Sequence, residues 1–539
     1  MKKTTTYLAL VLAAAMLSSC NDWLTEDTPG TNKRGDYFVS TETATEVVNA
    51  AYMPLMWEYG NKSTYYCEWF IGDIVSDDAL KGGGSLSDMA DAYDMENFKT
   101  NVDNSLLRGY YEAQWQGIQR ANLAIESIEP LEVGLDANFT EAMKARLLAE
   151  ARFLRAYYYF RLVRVFGGMP LNDRVIDSSN KINHKRATQL ETYDFIINDL
   201  LAAQEALPLK SRYAAADMGR VTQGTAQAML LKAYLYKAGF ERQQGVDPTD
   251  SYTQAAKWGE EVVKSQQYSL CPVYFDNFTL AGENGPESVF EIQYIEDPRS
   301  DYGEGEGFSR GTFTLIMQRT RSTHWGESGW GFNHPTQNLY DEYEPGDLRR
   351  DATILDFTDY MTTPAEEIYL GNHYLNLKYA QMTDNNGQPY HLTHHSRGPL
   401  NYRLIRYSDV LLMLAEAYCE LGDLGRAKPL LNQVRDRVGL PAFPYTATIQ
   451  GKNVTYAETQ DGLRSAIRHE RRVELAMEGH RWFDLLRWGI AAETMEAYIA
   501  GETDEARSHY SPFVKGKHEL MPIPSQQIDL GAGPQNPGY

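Results

Sequence analysis

Residues 468–489 alternate arginine and glutamate in a pattern that could support chemistry. Glu470, Glu474 and Glu478 follow one another at four-residue spacing, which places three carboxylates on one face of a helix. Such a face could carry acid–base chemistry or bind a metal ion. A zinc-protease helix would need His-Glu-x-x-His, and here Val473 occupies the position of the second histidine. The spacing therefore argues against a zinc site, and these carboxylates need a structural explanation.

Arginines of the same segment favour such a structural role. Like charges at four-residue spacing repel by roughly a few tenths of a kcal/mol per pair unless they are neutralised. We therefore expect a buried or half-buried ion-pair network that neutralises the three glutamates. The arginines expected to do so are Arg468, Arg471, Arg472 and Arg481. The aromatic residues Trp482, Phe483 and Trp488 are then expected to pack against the helical scaffold.

A histidine cluster and an acidic turn are two further candidates for ion binding. His391, His394 and His395 have a spacing that suits a metal on a helix, but the surrounding prolines and glycines predict a solvated loop. Residues 384–387 resemble the start of a calcium loop but lack the distal bidentate glutamate, so a plain turn is favoured. We predict no cofactor, and a structural calcium ion stays open as the alternative in so acidic a chain.

Motifs of the common enzyme classes are absent from the sequence. It contains no Gly-x-Ser-x-Gly, no phosphate-binding glycine loop and no dinucleotide-binding fingerprint. A glycosidase would need two carboxyl groups at a set separation, and the many Asp and Glu residues do not single out a pair. The residues themselves therefore single out no catalytic site.

Aromatic residues set among glycines are candidates for binding without reaction. Trp325, Trp330 and Phe332 lie in a stretch with glycine and asparagine, while Tyr302 and Phe308 lie in a stretch rich in glycine and glutamate. Sugar rings present flat C–H faces that stack on indole and phenol rings, and polar side chains bond to the hydroxyls. The same rings could instead anchor their loops to the core, so both roles stay open for each of them.

The elements that would carry these residues are mostly helical, with apolar residues repeating at a period near 3.6. In residues 409–440, two apolar helical faces are separated by a Gly-Asp break, and their pattern of large and small residues matches a tetratricopeptide repeat. Further copies begin near Phe153 and Met229, and a weaker pair covers residues 44–57 and 110–128. Because such helix pairs bury their apolar faces only against neighbours, we expect several copies to stack.

Long irregular segments interrupt this scaffold at about 60–104 and 272–400. Loops of that length are usually functional or disordered, and their aromatic content argues against disorder. The expected fold class is therefore mostly α, a tetratricopeptide-like helical repeat scaffold with a large irregular loop-rich lobe. The repeats are expected at about 41–59, 105–271 and 401–490.

The charge of the chain limits its partners. The formal net charge is −22 over 539 residues, and this argues against nucleic acid as a partner because its phosphates would be repelled. Aromatic residues make up 12% of the chain, which fits ligands recognised by stacking but fits an aromatic-rich core equally well.

The N-terminus has the features of a targeting segment. A lysine pair precedes a short apolar run, and Leu17-Ser18-Ser19-Cys20 resembles the lipobox of bacterial lipoproteins, whose cysteine is lipidated after cleavage. The acidic residues that follow resemble the signal that sends lipoproteins of Bacteroidetes-type bacteria to the outer surface. We expect a signal peptide over 1–19, a lipidated tether over 20–40 with the lipid on Cys20, and a single domain over 41–539. No later apolar run is long enough to span a bilayer.

Three cysteines remain after Cys20. Because three is an odd number, they do not form a disulfide framework. Cys419 lies on an apolar helix face and is predicted to be a small buried side chain. A bond between Cys67 and Cys271 stays open.

Several segments, in order along the chain, carry a family resemblance. They include Ser76-Asp77-Asp78-Ala79, Leu154-Arg155-Ala156-Tyr157-Tyr158-Tyr159-Phe160, Phe166-Gly167-Gly168-Met169-Pro170, Ile405-Arg406-Tyr407-Ser408-Asp409, residues 470–489, and the ending Gln535-Asn536-Pro537-Gly538-Tyr539. With the lipobox, these segments cover almost the whole length after the leader, and they resemble the SusD/RagB family of outer-membrane nutrient-binding lipoproteins. Members of that family are not enzymes, so the resemblance implies that this protein is not an enzyme.

The resemblance implies a function as well as a fold. A member of this family would be lipid-anchored at the outer membrane, exposed at the cell surface, and would deliver a bound oligosaccharide to a SusC-like TonB-dependent transporter. Peptide or another nutrient is the alternative ligand, and a surface glycoside hydrolase is the remaining alternative. The family's starch-binding member uses an aromatic arc with polar residues near its Ser-Asp-Asp-Ala segment. By that resemblance the expected ligand-binding residues are Asp78, Lys81, Tyr294, Tyr302, Trp325 and Trp330.

Overall fold

The computed structural model of the chain describes residues 37–539, with short gaps. The gaps are 61–63, 177–183, 298–309, 323, 325–327, 362–368, 370, 381–382, 385–387 and 389. The signal peptide, most of the tether with Cys20, and two of the expected ligand-binding residues, Tyr302 and Trp325, lie outside the described residues. Most of the acidic turn considered for calcium also lies outside them.

Helices dominate the described structure, as the apolar period predicts. In chain order they are α1 (Thr41–Tyr52), α2 (Trp69–Gly72), α3 (Ala90–Glu96), α4 (Ser105–Ile128), α5 (Glu141–Phe166), α6 (Gln189–Ala206), α7 (Gln223–Gln243), α8 (Thr249–Lys264), α9 (Thr314–Gln318), α10 (Gln337–Glu342), α11 (Leu348–Thr353), α12 (Leu377–Ala380), α13 (Tyr407–Glu420), α14 (Leu424–Arg437), α15 (Gln460–Glu474), α16 (Arg481–Trp488), α17 (Ala491–Gly501), α18 (Asp504–His509) and α19 (Ser525–Asp529). Single 3-10 turns lie at Met53–Met56, Lys210–Arg212, Ala215–Asp217, Tyr274–Phe278 and Thr358–Tyr360.

The long helices stack in pairs, and each buries its apolar face against a neighbour. Contacts run in the order α1, α4, α5, α6, α7, α8, α13 and α14, and α15 packs on α13. Small residues allow the close approaches that this stacking requires. A Cβ on Gly259 of α8, for example, would lie 3.0 Å from the Leu414 side chain of α13. The predicted tetratricopeptide-like helical scaffold is confirmed.

Hydroxyl side chains start several of these helices. Thr188 accepts a hydrogen bond from the Glu191 N–H at 3.2 Å, and Thr222 accepts one from the Thr225 N–H at 3.1 Å. In both cases the later side chain bonds back to the N-cap backbone, which completes a capping box. These contacts satisfy backbone donors that the first turn of a helix leaves without partners.

The named strands of the described residues form five two-stranded antiparallel ribbons. They are β1 (Tyr59–Gly60) with β2 (Thr64–Tyr65), β3 (Ala79–Gly82) with β5 (Phe332–Pro335), β4 (Ser288–Ile292) with β8 (Tyr402–Arg406), β6 (Ile354–Asp356) with β7 (Tyr374–Asn376), and β9 (Tyr445–Ile449) with β10 (Lys452–Tyr456). The β3–β5 ribbon places Leu80 opposite His334 and Gly82 opposite Phe332. It therefore joins the two long irregular segments of the sequence side by side.

The charged segment that was expected to be one continuous helix is two helices. α15 ends at Glu474 and α16 begins at Arg481, so Glu478 lies in the turn between them and not on the helical face predicted for it. Met477 and Gly479 have left-handed backbone, with φ of 63° and 77°. Residues in this region of φ/ψ space end a right-handed helix, which is why the four-residue spacing fails at the third glutamate.

The described residues contain three free cysteines and no membrane-spanning helix. Cys67, Cys271 and Cys419 are free and buried, so the disulfide left open for the first two does not form. Within residues 37–539 and outside their gaps, no helix combines the length and apolar character needed to cross a bilayer.

Candidate ligand-binding surface

Four aromatic rings from distant parts of the chain meet at one surface of the protein. Tyr65 lies 4.8 Å from Tyr59 and 5.5 Å from Trp330, and Trp330 lies 5.4 Å from His395, measured between ring centroids. The first three rings are half-buried and His395 is exposed. Offset and edge-to-face contacts of this kind are favourable arrangements for aromatic pairs. We call these four residues the aromatic surface.

Short backbone contacts hold the rings in place. Tyr59 and Tyr65 are direct partners in the β1–β2 hairpin, and both pack on the buried ring of Phe313 at 5.6 and 5.2 Å. The Trp330 N–H donates to the carbonyl of Ile316 in α9 at 2.9 Å. Hairpin and helix together therefore fix the orientation of rings that lie in irregular chain.

Glycine is required beside Trp330 because the backbone there lies very close to Arg319. A Cβ on Gly329 would lie 2.2 Å from the Cβ of Arg319, a separation that real Cβ atoms do not show. The Gly329 N–H donates to the carbonyl of Thr320 at 2.7 Å. Because only glycine permits this close approach, the glycines flanking Trp330 in the sequence have a structural cause.

A glycine-containing loop at residues 83–88 borders the aromatic surface. The Gly83 N–H donates to the carbonyl of Gly331 at 2.6 Å, and its carbonyl accepts the Tyr369 N–H at 3.0 Å. Gly331 directly follows Trp330 in the chain. The loop is thereby tied to the segment that carries the indole ring.

Lys81, one of the expected ligand-binding residues, holds this loop from inside. Its ammonium group donates to the carbonyls of Ser85 at 3.0 Å and Asp88 at 2.6 Å, and the side chain is 1% exposed. The ammonium group also lies 5.7 Å from the Phe332 ring centroid and 5.6 Å from that of Tyr369. Burial lowers the pKa of Lys81. In this structure the Lys81 ammonium group supports the loop from within, and its contact with a ligand stays a prediction.

Asp78 and Tyr294, two more of the expected ligand-binding residues, are also buried. Asp78 is fully buried and its Oδ1 lies 2.8 Å from Nε of Arg472. Tyr294 is 5% exposed, and its backbone N–H donates to Oδ1 of Asn401 at 2.8 Å. Burial raises the pKa of both groups. Of the four expected residues that the structure describes, Trp330 alone lies at the aromatic surface.

Three of the four rings are not among the ligand-binding residues predicted from the sequence. Tyr59 and Tyr65 flank a polar stretch at 61–63, in a segment whose only predicted feature is its irregularity. His395 is predicted only as a candidate metal ligand. A pair of tyrosines on either side of a short polar stretch is a pattern that predicts a hairpin presenting both rings.

A second ring pair lies near the glycine-containing loop. His324 is exposed and Tyr360 is half-buried, and their ring centroids are 4.8 Å apart. The Ser322 hydroxyl donates to the Tyr360 carbonyl at 2.9 Å. A Cβ on Gly84 would lie 3.0 Å from a guanidinium nitrogen of Arg321, so the loop approaches the segment that carries His324.

The carboxylates of the charged segment are neutralised in a buried ion-pair network, as predicted, but the predicted partners are wrong. Glu474 accepts hydrogen bonds from Arg349 at 3.0 Å, Arg406 at 2.9 Å and Arg437 at 2.5 Å. Every one of these side chains is at most 4% exposed. The partners of the other two glutamates are Arg349, Arg435, Arg406 and Lys378. All of these cations come from elements other than the charged segment itself.

The segment's own basic residues face different carboxylates. Arg471 contacts Asp409 at 2.8 Å and Asp484 at 2.9 Å. Arg481 contacts both carboxylate oxygens of Asp77 at 2.8 Å. Arg471 points about 100° away from Glu470 around the helix, and its guanidinium group is engaged by Asp409 and Asp484 of other elements. Arg481 belongs to the next helix, so it does not share a helical face with Glu470 and Glu474.

Ion pairs connect Asp77 and Asp78 to the C-terminal helices α15 and α16. Arg472 lies 2.9 Å from Asp77 and 2.8 Å from Asp78, and it also contacts Glu342 at 3.0 Å. Burial opposes the charge on Asp77, but the two arginines outweigh it and lower the pKa of Asp77 to about 2. Since β3 begins at the next residue, this pairing fixes the strand that leads into the glycine loop.

The aromatic surface is suited to reversible binding. It offers ring faces for stacking, and the adjoining loop offers backbone polar groups for hydrogen bonds. Over the part of the chain that the structure describes, no group of three or more His, Cys, Asp or Glu residues is arranged to hold a metal ion.

Comparisons with known proteins agree with this geometry. Residues 286–539 match the family model described as "SusD family", and residues 24–235 match the one described as "Starch-binding associating with outer membrane". A curated relative, "SusD-like protein P2" of Formosa agariphila, is 26% identical and aligns over 99% of each chain.

Solved structures show the same fold. A "Laminarin binding SusD-like protein" has a TM-score of 0.73 and 30% identity, covering 93% of this chain and 99% of its own. "Surface glycan-binding protein A" from Bacteroides thetaiotaomicron, in complex with laminarihexaose, has a TM-score of 0.74 and 26% identity, covering 92% of this chain and 99% of its own.

Proposed function

The chain belongs to the SusD family, and from that premise we propose that it captures an oligosaccharide on the aromatic surface of Tyr59, Tyr65, Trp330 and His395. One observation carries the proposal. Four rings from three separate segments, the β1–β2 hairpin and the stretches that carry Trp330 and His395, converge at the surface of an irregular lobe, and part of each ring is accessible. A protein that needed these rings only for its core would bury them.

The first ligand to test is a β-glucan of the laminarin type. Two solved relatives carry laminarin or laminarihexaose in their descriptions, and the more similar of the two is 30% identical over nearly its whole length. Laminarihexaose is therefore the probe of choice. The alternative ligand on the same scaffold is a peptide or another nutrient. Titration against a glycan panel and a peptide panel distinguishes it from an oligosaccharide.

Delivery of the ligand completes the proposal. We infer that the protein is lipidated at Cys20, held at the outer membrane by its acyl chains, and exposed at the cell surface, where a SusC-like TonB-dependent transporter receives the glycan. The family-model description, which places its members in association with the outer membrane, supports this location. Co-purification of the transporter with a tagged copy, lost when Cys20 becomes serine, tests anchoring and partnership together.

Calorimetric titration of laminarihexaose tests the binding site. Trp330→Ala removes the central ring, and loss of an aromatic anchor costs about 2 kcal/mol, which corresponds to about 30-fold weaker binding. Trp115→Ala is the matched control, because Trp115 is also half-buried, makes an edge contact with Tyr159 of the helical stack at 5.8 Å, and is not one of the four rings of the aromatic surface. We expect the control to bind like the native protein while losing a similar amount of stability.

Three outcomes would contradict parts of the proposal. Equal affinity of the two tryptophan variants would place the site elsewhere. Binding to peptides with no heat from any glycan would assign the alternative ligand class. Release of reducing sugar by the purified protein, abolished by a single Asp or Glu substitution, would make it a glycoside hydrolase.

A further inference from the structure

A cleft of about 450 Å³ lies between the lobe and the C-terminal helices α17 and α18. Its walls include Leu80 on one side and Tyr498, Glu502 and Tyr510 on the other. None of its lining residues belongs to the aromatic surface. Its volume is within the range of small-molecule sites, which commonly form where two parts of a protein meet.

Three carboxylates line this cleft without a basic partner. Glu96, Glu502 and Glu505 have no Lys or Arg nitrogen within 4.0 Å among the residues that the structure describes. The contrast with the rest of the molecule is sharp, because the glutamates of the buried network each contact two or more basic groups. Glu505 is exposed to solvent, whereas Glu96 is affected by the nearby Lys81 charge and Glu502 by a hydrogen bond with Tyr498, neither of which is an ion pair. The cleft therefore carries negative charge that no ion pair of the described residues neutralises.

Glu96 is the most informative of the three. It is 8% exposed, and it accepts only two long hydrogen bonds, from the Lys81 N–H at 3.3 Å and from the Asn97 amide at 3.5 Å. Burial raises the pKa of Glu96 to about 7. Burial also raises the pKa of Glu502. A buried carboxylate in this condition gains strongly when a cation approaches.

Glu58 is a buried glutamate without a cation, and hydrogen bonds within the protein satisfy its carboxylate oxygens. Its oxygens accept bonds from the Thr312 hydroxyl at 2.8 Å, the Phe313 N–H at 2.6 Å and the Thr314 hydroxyl at 2.6 Å. Glu58 is packed in the interior, whereas Glu96 borders a cleft. The weak bonding of Glu96 is therefore not a general property of buried glutamates in this fold.

Two tyrosine rings complete the lining. Tyr498 and Tyr510 stand edge to face, with centroids 6.3 Å apart and planes at 89°. Burial is the main cause that raises the pKa of both phenols, so they stay neutral. Perpendicular rings beside a carboxylate are the arrangement by which proteins recognise ammonium groups through cation–π contact.

We propose that this cleft binds an organic ammonium ion, with its charge between Glu96 and Glu502 and its attached body against Leu80, Tyr498 and Tyr510. A neutral sugar would leave the carboxylates uncompensated. A metal ion is disfavoured because the described residues hold no cluster with metal-ligand geometry. Two sources share the required chemistry, a free amino sugar and the lysine side chain of a peptide.

Calorimetric titration against matched pairs of probes tests the cleft on the intact protein. Glucosamine is compared with glucose, and Nα-acetyl-lysine methylamide is compared with its Nε-acetylated form, so that each pair differs in the ammonium charge. We expect at least one charged probe to bind about tenfold or more tightly than its neutral counterpart, which corresponds to one formed ion pair. Preference for glucosamine assigns an amino sugar, and preference for the lysine derivative assigns a peptide.

Substitutions test whether the preference for the charged probe arises at Glu96. Glu96→Gln keeps the shape of the side chain and should weaken the charged probe about tenfold or more, whereas the exposed Glu132→Gln should leave its affinity unchanged. Equal affinity of charged and neutral probes for the native protein overturns the proposal, even if the Glu96 variant does not fold. Unchanged affinity in a folded Glu96→Gln overturns it as well. Neither result bears on laminarihexaose binding at the aromatic surface, so the two proposals fail separately.

Discussion

Removing Glu474 is the sharpest test of the buried ion-pair network. Its side chain is fully buried and accepts hydrogen bonds from Arg349, Arg406 and Arg437. Burial alone would raise the pKa of Glu474, but these three arginines lower it far below its usual value. The carboxylate is therefore charged in the folded protein at any ordinary pH. Glu474→Ala leaves three guanidinium groups with one fewer partner each.

The magnitude follows from the burial of the partners. Breaking a buried ion pair by removing one side costs roughly 3–5 kcal/mol. Unfolding entropy is about 2.1 cal/mol/K per residue, so a folded region of about 500 residues has a total near 1 kcal/mol/K. Dividing the two gives a fall in melting temperature of about 3–5 °C.

Scanning calorimetry measures this shift, and the exposed pair between Glu458 and Lys428 provides the control. The side chain of Glu458 is 61% exposed, and exposed pairs contribute about 0–1 kcal/mol. Glu458→Ala should therefore lower the melting temperature by no more than about 1 °C. If Glu474→Ala melts within that same margin, the network does not stabilise the fold. If it also loses ligand binding while its melting temperature is unchanged, Glu474 has a functional role instead.

Three further predictions concern other parts of the protein. Asp78→Ala should lower the unfolding free energy by about 2–4 kcal/mol, because the carboxylate pairs with Arg472 in the interior. The laminarihexaose affinity of the folded protein should stay within about twofold, because Asp77 still ties the start of β3 to Arg472 and Arg481; a selective loss of affinity would support a ligand role for Asp78. Burial disfavours the charged form of His469, but its hydrogen bond to Glu342 and its ion-pair contact with Glu344 outweigh that and raise the pKa of His469 to about 9. This group therefore adds stability below about pH 6.5 that is lost as pH rises through 9, about 3 kcal/mol in all, and His469→Gln should remove that part of the pH dependence measured by denaturant unfolding. Reducing agent should leave the melting temperature unchanged, since the thiols are free, whereas a shift would indicate a disulfide among Cys67, Cys271 and Cys419.

Local patterns were enough to predict the helical scaffold. The apolar faces of α13 and α14 lie in one stretch of about thirty residues, and their spacing reports the burial of side chains such as Leu414 and Leu431 directly. A helix pair forms contacts between residues close in sequence, so its pattern can be read without knowledge of the rest of the chain. The same holds for α7 with α8 and α5 with α6.

The aromatic surface could not be predicted in the same way. Tyr65 and Trp330 are 265 positions apart in the sequence, and nothing local to either residue encodes their contact. Aromatic residues in irregular segments have no periodicity that separates a buried ring from an exposed one. This explains why Trp330 and Tyr294, which have the same character in the sequence, differ in the structure: Trp330 lies at the aromatic surface and Tyr294 is part of the core.

Charge partners were mispredicted for a related reason. Arg472 and Glu474 are neighbours in sequence, yet Arg472 pairs with Asp78 nearly 400 positions away and Glu474 with arginines of other elements. Sequence proximity indicates that charges occur together, but side-chain direction on the helix decides which of them meet. The presence of a buried network was therefore predictable and its connectivity was not.

That connectivity gives the charged segment an indirect part in the proposed binding. Arg472 holds the aspartates that precede β3, and β3 pairs with β5, the strand that begins two residues after Trp330. From the end of β3, the Gly83 N–H reaches back to the carbonyl of Gly331. A continuous path of short contacts therefore runs from a buried ion-pair network to a ring at the surface. Loop-borne rings bind well only when a rigid support fixes their orientation, so the charges that resemble a catalytic site in the sequence act as that support.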